Sequence, residues 1–435
     1  MAYFVRNIGK GKVKHVSHIL DELQARGLIA QHTDIDALRA AMDEGPITYY
    51  CGFDPTGPSL HHGHLVAVIL MRHLQNAGHN PLVLVGGATG LIGDPRDSGE
   101  RTLNAEEQVK EWTDKLAGQL SGFLKFDGEN RARIVNNFDW TSELSAIDLL
   151  RGLGKYFRMG TMLAKDTVAR RLASDEGISY TEFSYQILQA NDFLELNRRY
   201  NCVLQTGGND QWGNLVGGMD LIHKTEGKSV HVLTSPIITK SDGTKFGKTE
   251  GGAIWLDPTM LSPYAFYQFW LNTADADVER LLKVFTFVDL DEIDAIVAES
   301  VEKPYLRLGQ RRLADEVTTF VHGEEATERV KEASAALFGK VNPTNLDGAT
   351  LRDAVAELPS APVTVGMPVV DLVEALGLEK GKGAARRIIS AGGLSINSVK
   401  VEDPEAVIAQ EQILPGGLVL VRKGKKNLAV GRLEN

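Results

Sequence analysis

The chain has 435 residues, 43% of them hydrophobic and 24% charged, and a formal net charge of −10. That length suits two or three domains of ordinary globular composition, and the charge argues against a chain-wide nucleic-acid surface. There is no run of about 18 apolar residues and no apolar core behind Met1-Ala2-Tyr3-Phe4-Val5-Arg6, so neither a membrane span nor a secretory signal is expected. Two cysteines, Cys51 and Cys202, lack metal-ligand spacing and point to a reducing compartment, with the cytoplasm as default.

Residues 1–45 read as a basic leader followed by helices, with apolar spacing at Ile19, Leu20, Leu23 and Leu28. Ile47–Phe53 is an apolar, aromatic strand that Asp54-Pro55-Thr56-Gly57-Pro58 breaks. A helix over Leu65–Gln75 follows, with Leu65, Ile69, Leu70 and Leu74 on one face. Further strands are expected at Leu82–Val85, Ala132–Val135 and Cys202–Leu204, and further helices at Ala105–Leu124 and Glu182–Leu196. This alternation predicts an α/β fold with a parallel sheet covered by helices. Ligands of such sheets bind beyond the carboxyl ends of the strands.

From 256 to 338 the pattern turns helical, through Leu281, Leu282 and Phe285 and then Leu308, Leu313, Val317 and Phe320, with Asp275, Asp289 and Asp291 as candidate caps. Asn342 to Pro362 reads as a linker containing one short helix. From Met367 a small α+β unit is expected, with helices Val369–Leu376 and Ala384–Ala391 and strands Leu394–Asn397 and Leu418–Arg422. Residues 376–435 hold ten Lys or Arg against six acids, a net +4, which leaves −14 for the remainder. A basic tail on an acidic body suits a local polyanion site, and equally an ordinary solvated face.

Two stretches carry chemistry. His61-His62-Gly63-His64 lies where a strand gives way to a helix N-terminus. Free N–H groups and the helix dipole favour an anion there, Gly63 allows close approach, and imidazoles can donate to phosphate oxygens. Far downstream, Thr239-Lys240-Ser241-Asp242-Gly243-Thr244-Lys245-Phe246-Gly247-Lys248-Thr249 puts three lysines within nine residues, enough to surround a triphosphate. Singly, the first could be a histidine-rich helix start and the second a solvated loop. Together they describe a site for a nucleoside triphosphate that loses pyrophosphate. Tyr185, Gln189 and Asp192, at i, i+4 and i+7, share one helix face. That face is either hydrated or an inward stripe that demands polar partners. Gly86-Gly87-Ala88-Thr89-Gly90 lacks the spacing and distal acid of a dinucleotide loop.

The histidine tetrad and lysine loop resemble the two signatures of the class I aminoacyl-tRNA synthetases. Tyr50-Cys51-Gly52-Phe53-Asp54-Pro55-Thr56, Gly86 to Pro95, Gln189-Ala190-Asn191-Asp192-Phe193, Gly207 to Asn214 and Lys245-Phe246-Gly247-Lys248-Thr249 narrow the likeness to the bacterial-type tyrosyl-tRNA synthetases. The likeness runs in order over residues 45 to 435. It implies a Rossmann-like catalytic domain at 1–250, a helical anticodon-side domain at 251–338, a linker at 339–365 and a ribosomal-protein-type RNA-binding domain at 366–435. It implies a tyrosine–tRNA ligase that joins tyrosine to ATP and passes the tyrosyl group to the terminal ribose of tRNA(Tyr).

By resemblance, Tyr50 and Asp192 hold the phenol hydroxyl, Tyr185, Gln189 and Asp94 the ammonium, and Gln211 the carboxylate. Cys51, Gly52, Asp54, Gly63, Gly208, Asp210 and Lys248 serve ATP; for Cys51 a small buried thiol is the other reading. Thr56, His61, His64, Lys240, Lys245, Lys248 and Thr249 are the catalytic candidates around the phosphates. Arg386 and Arg387, on a tail helix, face RNA. Mg²⁺ accompanies ATP as substrate, and no protein-held metal or prosthetic group is implied. A homodimer is implied, without membrane or DNA partners. Tryptophanyl-tRNA synthetases share the fold, and a non-catalytic synthetase-like RNA binder is the rival from another class. The chain departs from the family at His62, where isoleucine is common, at Arg96-Asp97, where a lysine is usual, and at Glu379 to Ala384 in the tail.

Overall fold

The computed structural model describes residues 18–96, 99, 103–239, 241, 243–244, 246–247, 253–337, 343, 346–356, 358–424 and 427–434. The chain forms two compact units, residues 1–257 with 273–313, and residues 258–272 with 314–435.

The first unit is built on six strands: β1 (Gln31–His32), β2 (Thr48–Phe53), β3 (Asn80–Val85), β4 (Arg133–Asn136), β5 (Cys202–Gly208) and β6 (His231–Ser235). Their order is β1-β6-β5-β2-β3-β4. All neighbours run parallel except β1, which pairs antiparallel with β6 at the edge. The parallel α/β expectation therefore holds. Pro81 to Val85 is buried without interruption, as a strand covered on both faces must be. Strand β5 runs past Leu204 because Gln205 and Thr206 are paired rather than exposed, and the Thr206 hydroxyl donates to the Tyr50 carbonyl at 3.0 Å.

Helices His62–Asn76, Glu106–Phe123 and Tyr180–Tyr200 occupy the expected stretches. Ser179 caps the last of these through the Glu182 N–H, and Asn201 ends it in the left-handed region at φ 51° before β5 begins. Its Phe193 and Leu194 join Tyr50, Leu82, Leu84 and Trp140 in a continuous core. The helix Trp212–Glu226 was not expected, because Gly213, Gly217 and Gly218 dilute its apolar period. In the helical segment after residue 273, Asp275 is not a cap: Ala274 holds that position and Asp275 opens the first turn. Asp289 is the N-cap residue of Leu290–Glu302, but its side chain makes no capping bond, and Asp291 lies in the first turn.

The second unit contains a five-stranded sheet of β7 (Ser360–Val363), β8 (Leu394–Ile396), β9 (Val399–Lys400), β10 (Leu418–Lys423) and β11 (Asn427–Leu433), in the order β7-β11-β10-β8-β9. Strand alternation sends side chains to opposite faces. Val419 and Val421 pack with Leu372, Val373, Ala385 and Ile389 of helices Val369–Ala375 and Lys382–Ser390. Leu418 and Leu420 pack with Ala333, Ala336, Leu351 and Ala354 of helices Glu324–Leu337 and Gly348–Ala354. Ser360–Val363, within the stretch read as linker, pairs in parallel with β11.

One buried ion pair fixes the approach to the sheet's ligand-facing end. Arg171 and Glu182 meet at 2.8 Å with side chains 2% exposed each. Arg171 also donates to the carbonyls of Gly177, Arg96 and Gly99, each at 3.0 Å. Removing one partner strands the other charge in a dry interior. Arg171→Ala should therefore destabilise the unit by about 3–5 kcal/mol, read by urea denaturation followed through tryptophan fluorescence. A loss below about 1 kcal/mol, the range of a solvated surface pair, would show the site to be wet.

Candidate active site

Strands β2 and β3 end in register, Phe53 opposite Val85, and Asp54 is the first residue beyond β2. Its carboxylate accepts from the Thr89 hydroxyl at 2.7 Å and from the Tyr185 hydroxyl at 2.8 Å. A Cβ on Gly86 would stand 1.9 Å from Asp54 Oδ1 and 2.5 Å from Thr89 Oγ1. Only glycine leaves room for this pair, which gives the glycine-rich turn a side-chain purpose. Burial first, and then the Asp54 charge, hold the Tyr185 phenol well above its ordinary pKa.

Asp192 lies two helical turns further along, 2% exposed. Trp140 Nε1 donates to one of its oxygens at 2.8 Å and Asn137 Nδ2 to the other at 3.0 Å. Asn137 is held in turn by the Ala88 N–H at 2.8 Å and reaches Thr89 Oγ1 at 2.8 Å. Burial raises the Asp192 pKa to about 7, opposed by the two donated hydrogen bonds. Tyr50, 2% exposed, packs its ring 5.4 Å from that of Phe193. Among the described residues its hydroxyl meets no hydrogen-bond partner, nor does Gln189 Oε1. Burial, and next the Asp192 charge, lift the Tyr50 phenol well above its usual range. Tyr185 and Asp192 are buried, and Gln189 is half-buried with its Oε1 covered, so this helix face points inward rather than to solvent.

A third carboxylate completes this side. Asp94 accepts from Gln211 Nε2 at 3.0 Å and Asn214 Nδ2 at 3.1 Å. Lys165 donates to Asn214 Oδ1 at 3.0 Å, and burial lowers its amine to about 8 against the pull of Asp94.

The histidine tetrad stands at the N-terminus of the helix that follows β2. The His61 ring caps the helix by accepting from the Gly63 N–H at 3.0 Å, and His64 Nδ1 accepts from the His61 N–H at 3.2 Å. An accepting Nδ1 puts the hydrogen of a neutral ring on Nε2. The His61 and His64 rings lie 4.0 Å apart. Burial, then His61 and His62, push the His64 pKa down to about 3, so His64 offers a neutral donor rather than a charge. Gly63, Gly52 and Thr56 are exposed beside it. Cys51 is buried, and burial pushes its thiol to about 12. Gly208 is half-buried, and Asp210 is exposed beyond β5. Lys240, Lys245, Lys248 and Thr249 lie outside the described residues, as does Asp97 of the Arg96-Asp97 pair.

Asn137, Trp140, Thr89, Asn214 and Lys165 were missed from the sequence. For Asn137 and Trp140 a signal existed, because both follow directly on β4, at a strand's carboxyl end.

Residues 42–339 match the family described as tRNA synthetases class I (W and Y), and residues 350–430 match a Tyrosine--tRNA ligase SYY-like C-terminal domain. The chain is 56% identical to the Tyrosine--tRNA ligase of Streptomyces coelicolor over 95% of its length and 98% of that protein's. It is 55% identical to that of Corynebacterium efficiens, with the same coverages. Its structure is similar to that of a C-terminally truncated Aspergillus nidulans mitochondrial tyrosyl-tRNA synthetase, with a TM-score of 0.68 and 30% identity, over 75% of this chain and 96% of that one.

The Asp192 carboxyl makes stability depend on pH with a definite sign. The unfolded chain releases this proton near pH 3.8 and the folded one near 7. Its contribution is therefore full below pH 3.8 and is lost as pH rises through 7, by at most about 1.4 kcal/mol per pH unit. Asp192→Asn mispairs one donor and lowers stability at every pH, but it removes this slope. Urea denaturation at pH 5 and pH 8 should show a smaller loss between them in the variant. Equal losses would mean that Asp192 is ionised throughout.

Proposed function

The chain belongs to the class I tRNA synthetases for tryptophan and tyrosine and is an aminoacyl-tRNA ligase that makes tyrosyl-tRNA from tyrosine, ATP and tRNA; from that premise we propose how its residues divide the work. The tyrosine carboxylate attacks the α-phosphorus of ATP, the bond to the pyrophosphate oxygen breaks, and tyrosyl-adenylate remains. The nucleophile is already ionised, so catalysis reduces to positioning and to stabilising charge at the phosphates. The observation that carries this division is the buried Tyr50 hydroxyl beside the doubly hydrogen-bonded Asp192. A ligand hydroxyl satisfies such a pair, and a ligand without one leaves it stranded.

Asp94, Tyr185 and Gln189 take the ammonium group, and Gln211 the carboxylate. For the ammonium this means sharing Asp94 with Gln211 and Asn214, which already donate to it. Cys51, Gly52, Asp54, Gly63, Gly208 and Asp210 serve the nucleotide. Exposed Gly52 gives an adenosine face-to-backbone access, whereas Asp54 acts through Thr89 and Tyr185. Thr56, His61 and His64 meet the phosphates from the strand side, and Lys240, Lys245, Lys248 and Thr249 from the loop. Mg²⁺ enters with the nucleotide. Residues 1–250 perform activation, 251–338 face the anticodon side, and 366–435, behind the 339–365 segment, bind tRNA through Arg386 and Arg387. Both arginines are exposed on the helix Lys382–Ser390.

A homodimer is part of the reading. Ile147, Leu150, Met159, Leu172 and Tyr180 are each 48–66% exposed within one stretch of the first unit, a concentration of apolar surface that favours a partner copy. No helix among the described residues is long and apolar enough to cross a membrane. The two cysteines are both free thiols, in keeping with the cytoplasm.

Pyrophosphate exchange measured with each amino acid should run with tyrosine in the absence of tRNA. Exchange with tryptophan instead would overturn the assignment. In the same assay Tyr50→Phe should weaken tyrosine use by roughly 1–2 kcal/mol and leave the ATP dependence nearly unchanged.

The tail is tested best by charge. A truncation at 366 would strip Leu418, Leu420 and Val430 from Leu351 and Val355 and so perturb packing as well. Arg386→Glu with Arg387→Glu should lower tRNA charging at low salt and spare exchange, and the deficit should shrink as salt rises. Equal losses in both activities would remove these arginines from RNA recognition.

A further inference from the structure

His62 stands between the two phosphate-motif histidines, yet it is 8% exposed and faces another way. Its Nε2 lies 2.9 Å from the Phe246 carbonyl oxygen, in the middle of the lysine loop. A carbonyl only accepts, so Nε2 carries the hydrogen. Its backbone N–H donates to the Ile254 carbonyl at 2.9 Å, where the chain has left that loop. Beside this contact His61 bridges to Trp255, and the Leu256 N–H donates to Leu60 at 2.9 Å. One residue thus holds both the middle and the exit of the loop.

The loop residue it holds is itself an anchor. Phe246 is 5% exposed, stacked 6.2 Å from Phe285 and set edge-on to the His62 ring at 5.7 Å, and its N–H donates to Ile238 at 3.3 Å. Gly247 follows at φ 79°, and a Cβ there would sit 1.9 Å from His62 Cε1. The ring occupies the space that any side chain at 247 would need. His62 and Gly247 therefore fit as a pair.

We propose that His62 is a positioning residue that latches the lysine loop, through the Phe246 carbonyl and the space left by Gly247, to the helix start bearing His61 and His64. Lys245 precedes Phe246 in the sequence and Lys248 follows Gly247. The two residues between them are the ones that His62 contacts. The inference rests on the proposed role of the loop in adenylate formation. It deepens that role by naming what holds the loop, and it assigns a function to the histidine where the family commonly has isoleucine.

The test uses the full-length protein and four variants. His62→Leu fills similar space without a donor. His62→Gln keeps an N–H at comparable reach. Gly247→Ala inserts the obstructing carbon, and His62→Ala with Gly247→Ala gives that carbon room. Two readouts are taken. Single-turnover formation of tyrosyl-adenylate should slow about tenfold in His62→Leu, with tyrosine affinity unchanged, and should recover to within about threefold in His62→Gln. Gly247→Ala should slow it more than His62→Ala does, and the double variant should be faster than the product of the two single effects, since neighbours in contact are not additive. Tryptic cleavage after Lys240, Lys245 or Lys248 should quicken in His62→Leu and Gly247→Ala and stay near the parent rate in His62→Gln. Glutamine no better than leucine in both readouts, or strictly multiplicative effects at 62 and 247, would overturn the latch. Changed cleavage with no exchange in the parent protein would leave the latch standing and sink the functional reading instead.

Discussion

A carboxylate inside a protein needs donors, and the first unit places three of them at one end of one sheet. Asp54 has Thr89 and Tyr185, Asp94 has Gln211 and Asn214, and Asp192 has Asn137 and Trp140. Each set draws on elements distant in sequence, which the strand order β5-β2-β3-β4 brings together. The networks share members: Thr89 serves both Asp54 and Asn137, and Asn137 passes the connection to Asp192. Low dielectric strengthens such chains and makes each unpaired atom costly. The buried Tyr50 hydroxyl, which meets no hydrogen-bond partner among the described residues, stands out against them.

The histidine tetrad is built on a different principle, and the hydrogen that His64 holds is neutral. His64 is held well below its ordinary pKa and takes its tautomer from the His61 N–H. The segment after β6 meets the tetrad where the Phe246 carbonyl faces His62.

Legibility in the sequence followed the distance between interacting residues. Strands β2, β3 and β4 and the helix Tyr180–Tyr200 announce themselves through local apolar runs and spacing, and the i, i+4, i+7 face of Tyr185, Gln189 and Asp192 is visible without any fold. Strand β6 and the far half of β5 were hidden by His231, Gln205 and Thr206, polar residues that the sheet buries. Strand β11 was obscured by Gly431 and Arg432 inside an otherwise apolar alternation. Trp140 and Asn137 could not be linked to Asp192 across more than fifty positions. In the tail, the surplus of cations was countable, but their partners were not. Lys382 meets Asp371, Lys423 meets Glu379, and Arg386 meets Glu405.

The two thiols have a practical consequence. Cys51 and Cys202 are 2% and 0% exposed, and burial holds both in the protonated form. Alkylating and maleimide reagents act on the thiolate, so the native protein is chemically silent toward them. A single cysteine placed on its surface, for instance at Tyr305, which is 78% exposed, becomes the sole reactive handle. Fluorescent or spin reporters can be attached there one at a time without first stripping cysteines from the sheet that carries the site.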